Sequence, residues 1–452
     1  MGVASRPARA MLVVALTIIA VTAVCAVFGA GVAGAAPGSF VWQKTPDPTA
    51  EADGVWHCAK GPDASVYACG TSGWPDATRI WLVKYTSAGK KAWSRSWAGP
   101  AGQAGDVFDI TVDSTGSVYV AGRTRPAAGS WDSALLKYDA GGHLKWADTW
   151  AASAEDDEMR AIALDASGNV YVTGGAYRSG DWDIYTARYR STDGVQQWAT
   201  WYDGSGYDVG FDIAVDPSGV SYVAGNTDNP AQPDEALLVK TTAAGAFAWA
   251  KTWGTGAVSH DEWWNVVIAR SGAVLLAGET TDSDSDLVAA AYTTAGARTW
   301  VHTLNSGGTY DDYPEDSAVA RDGSLWMVGY TQRAGGSPRG ELLKWSAAGK
   351  VVFGHVIGTA ARPVEVNALT LDGGGNAYVV GQVKAAGGGT DALAMKYGPG
   401  GALRWRSSKA FAGKTQDTLD DVVLGAAGCL YGCGMVGEDI ADARGLVVKL
   451  RR

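Results

Sequence analysis

Residues Asp106–Trp150 read DVFDITVDSTGSVYVAGRTRPAAGSWDSALLKYDAGGHLKWADTW and hold four short apolar runs, ITV, VYVA, ALLKY and LKWADTW. Runs of this length, β-branched or aromatic and separated by Gly and Asp, read as strands. Two of the connections are tight: DSTGS between the first two runs and DAGG between the last two. In the first, Gly116 stands where a hairpin needs positive φ, and Asp113 is placed to cap the turn through its carboxylate. The stretch is one four-stranded antiparallel sheet.

The rest of the chain copies it. With Gly122 as anchor, equivalent glycines fall at Gly70, Gly174, Gly225, Gly278, Gly329, Gly381 and Gly434, at intervals of 51 to 53 residues. Six residues before each anchor lies the turn residue: Gly116, Gly168, Gly219, Gly272, Gly323, Gly375 and Gly428, with Ala64 as the exception. A third marker is a Gly followed four residues on by a large aromatic, as in Gly89/Trp93, Gly142/Trp146, Gly194/Trp198, Gly245/Trp249, Gly296/Trp300, Gly349/Phe353 and Gly401/Trp405. Chance does not couple three markers over seven periods. A four-stranded unit of this length, repeated, is the mark of a β-propeller. Repeats are numbered below by their anchors, from Gly70 in repeat 1 to Gly434 in repeat 8.

The ends set the blade count. Phe40-Val41-Trp42-Gln43-Lys44-Thr45 matches the fourth strand of the repeat but has no first three before it. Repeat 8 reaches its third strand at Gly445–Leu450 and stops. Pairing the two completes a blade and removes an exposed edge. The expected fold is therefore all-β, an eight-bladed β-propeller spanning residues 37–452, closed by the N-terminal strand. Upstream, Arg6 and Arg9 precede an apolar run from Met11 to Phe28 and the small residues AGVAGAAPG, which reads as a secretory signal over residues 1–36, cut after Ala35 or Ala36. The expected product is secreted.

Composition narrows the partners. The net charge is −10 with no basic stripe, which excludes nucleic acid and an anionic lipid surface as expected partners. An extracellular protein or glycan is expected instead, with no membrane contact beyond the signal segment and a monomeric chain. One large ring per blade (Trp42, Trp93, Trp146, Trp198, Trp249, Trp300, Phe353 and Trp405) reads as packing between blades rather than as ligand platforms.

The consensus D-x-x-x-x-V-D-x-x-G-x-x-Y-V-x-G followed by D-x-L-L-K-Y-x-x-x-G-x-x-x-W is clearest in DASGNVYVTG (Asp165–Gly174) and DGGGNAYVVG (Asp372–Gly381). It resembles the bacterial secreted β-propeller repeat family, known as SBBP repeats, over nearly all of the mature chain. That resemblance implies the fold and no catalytic residues; the family name implies seven blades where this chain counts eight. A second resemblance, carried by STDGVQQW (Ser191–Trp198), is to quinoprotein-like eight-bladed propellers. Their dehydrogenases carry a vicinal disulfide against the cofactor, and no Cys-Cys pair occurs here. This is fold-level analogy.

Motifs for zincins, α/β-hydrolases, P-loops and Cys/His metal sites are absent, and the five His are scattered along the chain. The longer loops collect on one face, which is the candidate binding face. Its acidic loops read first as a solvated rim. The richest cluster comprises His260, Asp261, Glu262, Trp263 and Trp264 at the start of repeat 5, with Asp312 and Tyr313 in repeat 6. Asp282, Asp284, Asp286, Asp311 and Asp316 are the candidate ligands for Ca²⁺, although Leu287 stands where an EF-hand loop needs Gly. Thirteen residues before the anchor, Asp109, Asp212, Asp316 and Asp421 recur in every second repeat, a candidate ring at the channel mouth; duplication of a two-blade unit and a cation or water site both account for it. Cys58 and Cys69 lie on the first and second strands of repeat 1, where registers differing by one residue put them on the same face or on opposite faces. The reading is an exported binding or scaffold module. Its alternatives are an extracellular polysaccharide hydrolase or lyase on the long-loop face, and a quinone-cofactor propeller.

Overall fold

The structure is a computed structural model and describes residues 36–46, 52–74, 78–100, 102, 104–125, 129–204, 206–229, 232–256, 260–281, 284–304, 310–333, 336–411, 416–426, 428–437 and 443–452. Residues 1–35 of the segment read as a secretory signal lie outside these. Among the described residues all regular structure is β-strand, with no helix. The strands form four-stranded antiparallel sheets in a β-propeller arrangement. Asp106–Trp150 folds as read: Ala104–Val112, Val118–Arg125, Asp132–Tyr138 and Leu144–Trp150 pair in sequence order.

The hairpin between the first two strands obeys its turn chemistry. Gly116 has φ +84°, and Asp113 accepts hydrogen bonds from the N–H groups of Thr115 and Ser117 at 2.9 Å each. Tyr119 adds its hydroxyl to the same carboxylate at 3.0 Å. Ala64, alone among the turn residues in lacking a glycine's freedom, still takes φ +61°.

The core lies between sheets. Second and third strands are buried on both faces, as in VYVAG and SALL, with Tyr67, Tyr119, Tyr171, Tyr222, Tyr378 and Tyr431 fully enclosed. The outer aromatics meet the neighbouring repeat, as expected of packing residues. A Cβ placed on Gly142 would come within 2.6 Å of Trp93, and one on Gly194 within 2.8 Å of Trp146. Each turn Gly of the third-to-fourth hairpin thus leaves room for the ring of the preceding repeat. Two donors from that repeat also converge on one turn carbonyl. Ala140 O accepts from Trp93 Nε1 at 3.0 Å and Lys84 Nζ at 3.4 Å; Ser191 O accepts from Trp146 Nε1 at 3.1 Å and Lys137 Nζ at 2.7 Å. This accounts for the Lys and the Trp of the consensus.

Phe40–Lys44 pairs antiparallel with Arg444–Arg451, with Trp42 opposite Lys449. The register matches Lys137 opposite Trp146 in repeat 2. Ser87 O of repeat 1 accepts from Trp42 Nε1 at 3.2 Å and from Lys449 Nζ at 2.7 Å. Trp42 is half-buried, tilted against Tyr85 and Tyr431 at 6.0 and 5.9 Å.

Candidate functional site

The first strand of each repeat lies innermost, flanked by the first strands of its neighbours. In Ala104–Val112, residues 105, 107 and 110 are buried while 106, 108, 109 and 111 are half-exposed, so two consecutive residues share the channel face. The cause is a β-bulge. Pairing jumps from Val107 opposite Gly122 to Asp109 opposite Ala121, which leaves Phe108 without a partner across the ladder. The same jump occurs at Met159/Ala161, Gly210/Asp212, Trp263/Asn265, Pro314/Asp316, Val366/Ala368 and Leu419/Asp421. Bulges re-aim side chains, and here they aim one extra residue per repeat at the axis.

The bulge explains the anchor glycines. A Cβ on Gly122 would stand 2.1 Å from the carbonyl oxygen of Asp106, and at all eight anchors the clash is between 1.8 and 2.2 Å. None of the eight has a positive φ. These glycines are required by close approach of the bulged strand, not by backbone conformation.

The backbone ring carries a divided set of side chains. In repeats 2 to 5 the bulge residues are Phe108, Arg160, Phe211 and Trp264; in repeats 6 to 8 they are Glu315, Asn367 and Asp420. On the first side Arg123 bridges Asp106 (3.4 Å) and Glu158 (3.2 Å), and Glu158 also pairs with Arg160. Arg160 lies over Phe211 at 5.1 Å, and Phe211 stacks on Trp264 with centroids 4.8 Å apart and planes 11° from parallel. Carboxylates crowd from repeat 5, beside Trp264, round into repeats 6 to 8. Burial pushes Glu262 up to about 7, with the charges of Glu279 and Asp234 adding to it. Burial alone leads in raising Glu279 to about 6 and Asp420 to about 7. Glu315 meets channel solvent yet is enclosed by protein; that enclosure, then the charges of Asp420, Glu365 and Glu279, lifts it to about 7. Tyr313 and Tyr330 pack ring to ring at 5.0 Å beside them. Aromatic faces next to partly protonated carboxylates can stack on an apolar sugar face and exchange hydrogen bonds with hydroxyls.

The expected cluster divides between this mouth and the core. Glu262, Trp264 and Tyr313 line the mouth. Trp263 is fully buried against Trp253 at 5.4 Å, because strand alternation turns it away from its neighbour. Asp261 is buried and accepts from the Thr255 N–H at 3.0 Å, which holds the incoming loop; Asp312 is likewise buried. His260 is exposed and bonded to Asp234 at 2.8 Å, which raises its pKa.

Of the expected calcium ligands, Asp282 lies outside the described residues. Asp284, Asp286 and Asp311 are half-exposed on the long-loop side, and Ser285 N–H points to Asp311 at 3.5 Å. Asp316 is elsewhere, in the channel wall.

The four recurring aspartates line the channel wall and staple repeats in pairs. Asp109 accepts from its own neighbour Ile110 N–H (2.7 Å) and from Ile162 N–H of the next repeat (2.9 Å). Asp212 does the same with Ile213 and Val266, Asp316 with Ser317 and Leu369, and Asp421 with Val422 and Cys58. Both oxygens of each carboxylate are occupied, so the two-repeat period is a packing period. Burial raises Asp109 to about 7, Asp212 to about 6 and Asp316 to about 8, against the lowering effect of those N–H groups.

The register of repeat 1 places His57 opposite Cys69 and Cys58 opposite Ala68. Cys58 and Cys69 therefore face opposite sides of the sheet and pack in different clusters, which removes the bond considered between them. Cys58 instead meets Cys433 across repeats 8 and 1, their ligand atoms within 4.8 Å of each other and of Asp421. A metal there needs thiolates. Cys58 sits at about 11, where burial and Asp421 outweigh the lowering hydrogen bond from Cys433, and burial lifts Cys433 further.

Glu158, Glu315 and Asp420 stand in the acidic stretches that the sequence places on the long-loop face, whereas no motif marks Phe108, Arg160, Phe211, Asn367, Arg123 or Glu279. A signal for the bulge exists: Val107/Ile110, Met159/Ile162, Trp263/Val266, Val366/Leu369 and Leu419/Val422 are apolar three apart where an unbroken strand spaces them by two.

No protein-family model matches the chain. An alignment of 140 residues that covers 26% of the chain is 30% identical to the regulatory protein FlaEY of Caulobacter vibrioides, and it covers 14% of that protein's length. Among solved structures the chain is similar to Sqt1 of Chaetomium thermophilum, with TM-score 0.55, 11% identity, and coverage of 90% of this chain and 96% of that one. It is similar to the quinohemoprotein alcohol dehydrogenase ADHIIG of Pseudomonas putida HK5, with TM-score 0.53, 13% identity, and coverage of 91% and 76%. These likenesses support the propeller fold and reach no further, since one neighbour is a redox enzyme and another Sqt1 structure is a complex with the N-terminus of ribosomal protein L10.

Proposed function

We propose that the chain is an exported eight-bladed propeller of the secreted-repeat type, closed where Phe40–Lys44 completes repeat 8, that binds an extracellular glycan at the axial mouth. Support for the closure is that Trp42 and Lys449 meet Ser87 as Trp146 and Lys137 meet Ser191. The observation that carries the binding reading is the divided bulge ring, with the Phe211–Trp264 stack on one side, Glu315 and Asp420 on the other, and Glu262 and Glu279 of repeat 5 beside the stack. Arg123 and Arg160 are held by Asp106 and Glu158, so the mouth presents an acidic field, which disfavours uronate polymers and favours neutral or amino sugars.

Titration calorimetry against a panel of neutral, amino and uronic oligosaccharides tests this. Binding of a neutral or amino sugar, weakened at least tenfold by Trp264→Ala, is the expected result. A full panel without binding, or binding untouched by Trp264→Ala and Glu315→Gln, overturns it. One observation favours a second reading, hydrolysis: carboxylates held near neutrality beside one another suit general acid–base work. Release of reducing ends, abolished by Glu315→Gln, would convert the binding reading into that one.

A further inference from the structure

We infer that the junction of repeats 3 and 4 is a binding site for a hard divalent cation of the Ca²⁺ class, held by Asp183, Asp203 and Asp208. Asp183 lies on the third strand of repeat 3 (Asp181–Tyr189), Asp203 directly follows its fourth strand (Gln196–Tyr202), and Asp208 opens the first strand of repeat 4 (Asp208–Val215). One carboxylate oxygen from each lies within 4.8 Å of the other two. Three like charges that close repel strongly unless a counter-ion joins them.

A second observation points to a ligand. Asp183 and Asp208 are fully buried, and Oδ1 of each has no hydrogen-bond partner. The remaining oxygens are in use: Asp183 Oδ2 faces Arg178 at 3.4 Å, and Asp208 Oδ2 accepts from the Gly204 N–H. Buried, unsatisfied carboxylate oxygens are costly and call for an explanation. One guanidinium against three carboxylates leaves a double negative charge, matched by a divalent ion. The Thr227 hydroxyl, beside Asp208, is a further neutral oxygen at the site. Carboxylate, hydroxyl and carbonyl oxygens are the donors that Ca²⁺ takes.

Neighbouring junctions show what is special here. Repeats 2 and 3 meet with Asp132 and Asp157 but have Ala151 at the third position; repeats 4 and 5 meet with Glu235 and Asp261 but have Gly254. At Gly254 a Cβ would lie 2.9 Å from Asp261 Oδ2 and 3.4 Å from Glu235, so a side chain at this position is directed at the acid pair. Of these three junctions, only that of repeats 3 and 4 has a third carboxylate there.

The test is the melting temperature of the full chain with EDTA, with Ca²⁺ and with Mg²⁺, followed by calcium titration calorimetry. The expected result is a rise of several degrees with millimolar Ca²⁺. Asp203→Asn should weaken calcium binding tenfold or more; because Asp203 is exposed on a loop, this variant should melt with EDTA like the parent. Asp284→Asn, on the other acidic loop, should keep the whole rise. A parent protein that melts alike with Ca²⁺ and EDTA overturns the inference, as does an Asp203→Asn variant with undiminished affinity. Neither result touches the axial-mouth reading, which rests on other residues.

Discussion

The outer rim and the inner wall of this molecule are built from one repeat, yet they have diverged in opposite ways. At the rim the junctions are near copies: a turn carbonyl takes an indole N–H and a Lys or Arg from the preceding repeat, as Ala243 does from Trp198 (3.3 Å) and Arg188 (3.4 Å). At the wall the backbone is equally regular, but the residues it aims inward differ in size, charge and polarity. Where geometry needs a residue, the residue repeats. Where geometry only presents a residue, the repeats are free to differ, and that freedom is what a binding site uses.

The largest expected effect breaks the wall itself. Gly278→Ala would force a methyl to within 1.9 Å of the Glu262 carbonyl oxygen. The bulge must open, and the loss should exceed ~4 kcal/mol, in the range reserved for named structural damage. Gly272→Ala, in the hairpin of the same repeat, meets nothing closer than 3.6 Å and suffers only from φ +87°, so it should cost about 1–2 kcal/mol. Urea denaturation of the pair separates the two kinds of glycine; equal losses would mean that the bulge can relax.

The next effect tests whether the rim is uniform through the chain ends. Trp42 and Trp198 are both half-buried, so Trp42→Ala and Trp198→Ala should each cost roughly 2 kcal/mol, below the ~3–5 kcal/mol of a fully buried ring. Denaturation midpoints should fall together. A near-neutral Trp42→Ala beside a damaging Trp198→Ala would show that repeat 8 does not meet repeat 1 as the other repeats meet.

These two tests also mark what the sequence could reveal. Strands, hairpins and the strand match at Phe40–Thr45 were legible because turn glycines and alternating apolar runs are local signals. The site was legible only in part. His260–Trp264 and Asp311–Asp316 were found as a composition cluster, but composition does not say which side of a strand a residue takes. Alternation sends Trp263 to the core and Trp264 to the channel, and the bulge then keeps Asn265 on the channel side as well, reversing the alternation for the rest of the strand. The Asp183–Asp203–Asp208 group stayed hidden because its members come from two strands and a loop across two repeats, with nothing in their spacing to mark them.

A smaller effect separates wall from rim by pH. Asp109, Asp316 and Glu315 are raised to about 7, 8 and 7, so between pH ~4 and ~8 the folded chain holds protons that the unfolded chain has lost. More protons on the folded state means stability falls as pH rises through that window. The hairpin aspartates run the other way: hydrogen bonds from Thr115, Ser117 and Tyr119 outweigh burial and lower Asp113, so its contribution is present above pH ~4 and lost as pH falls through its folded value. Melting at pH 5.5 should therefore exceed melting at pH 8. Glu315→Gln should flatten the slope and raise the melting point at pH 8, because it removes a charge from an enclosed acidic group. A slope unchanged by the substitution would place the proton uptake elsewhere.

The smallest expected effect sharpens the rim at its one irregular turn. Seven first hairpins have Gly at the turn position, whereas repeat 1 has Ala64 at φ +61°. A left-handed residue with a Cβ is strained by about 1–2 kcal/mol, while glycine loses more backbone freedom on folding, by roughly 0.5–1 kcal/mol. The two terms oppose, and strain is the larger. Ala64→Gly should stabilise the chain by a few tenths to ~1 kcal/mol. Tyr431 of repeat 8 donates its hydroxyl to the Ala64 carbonyl at 2.7 Å, so the turn is also a contact between the first and last repeats. Easing that turn should raise the denaturation midpoint without changing its slope. A destabilised Ala64→Gly would mean that the methyl is making a contact at this junction worth more than the strain it causes.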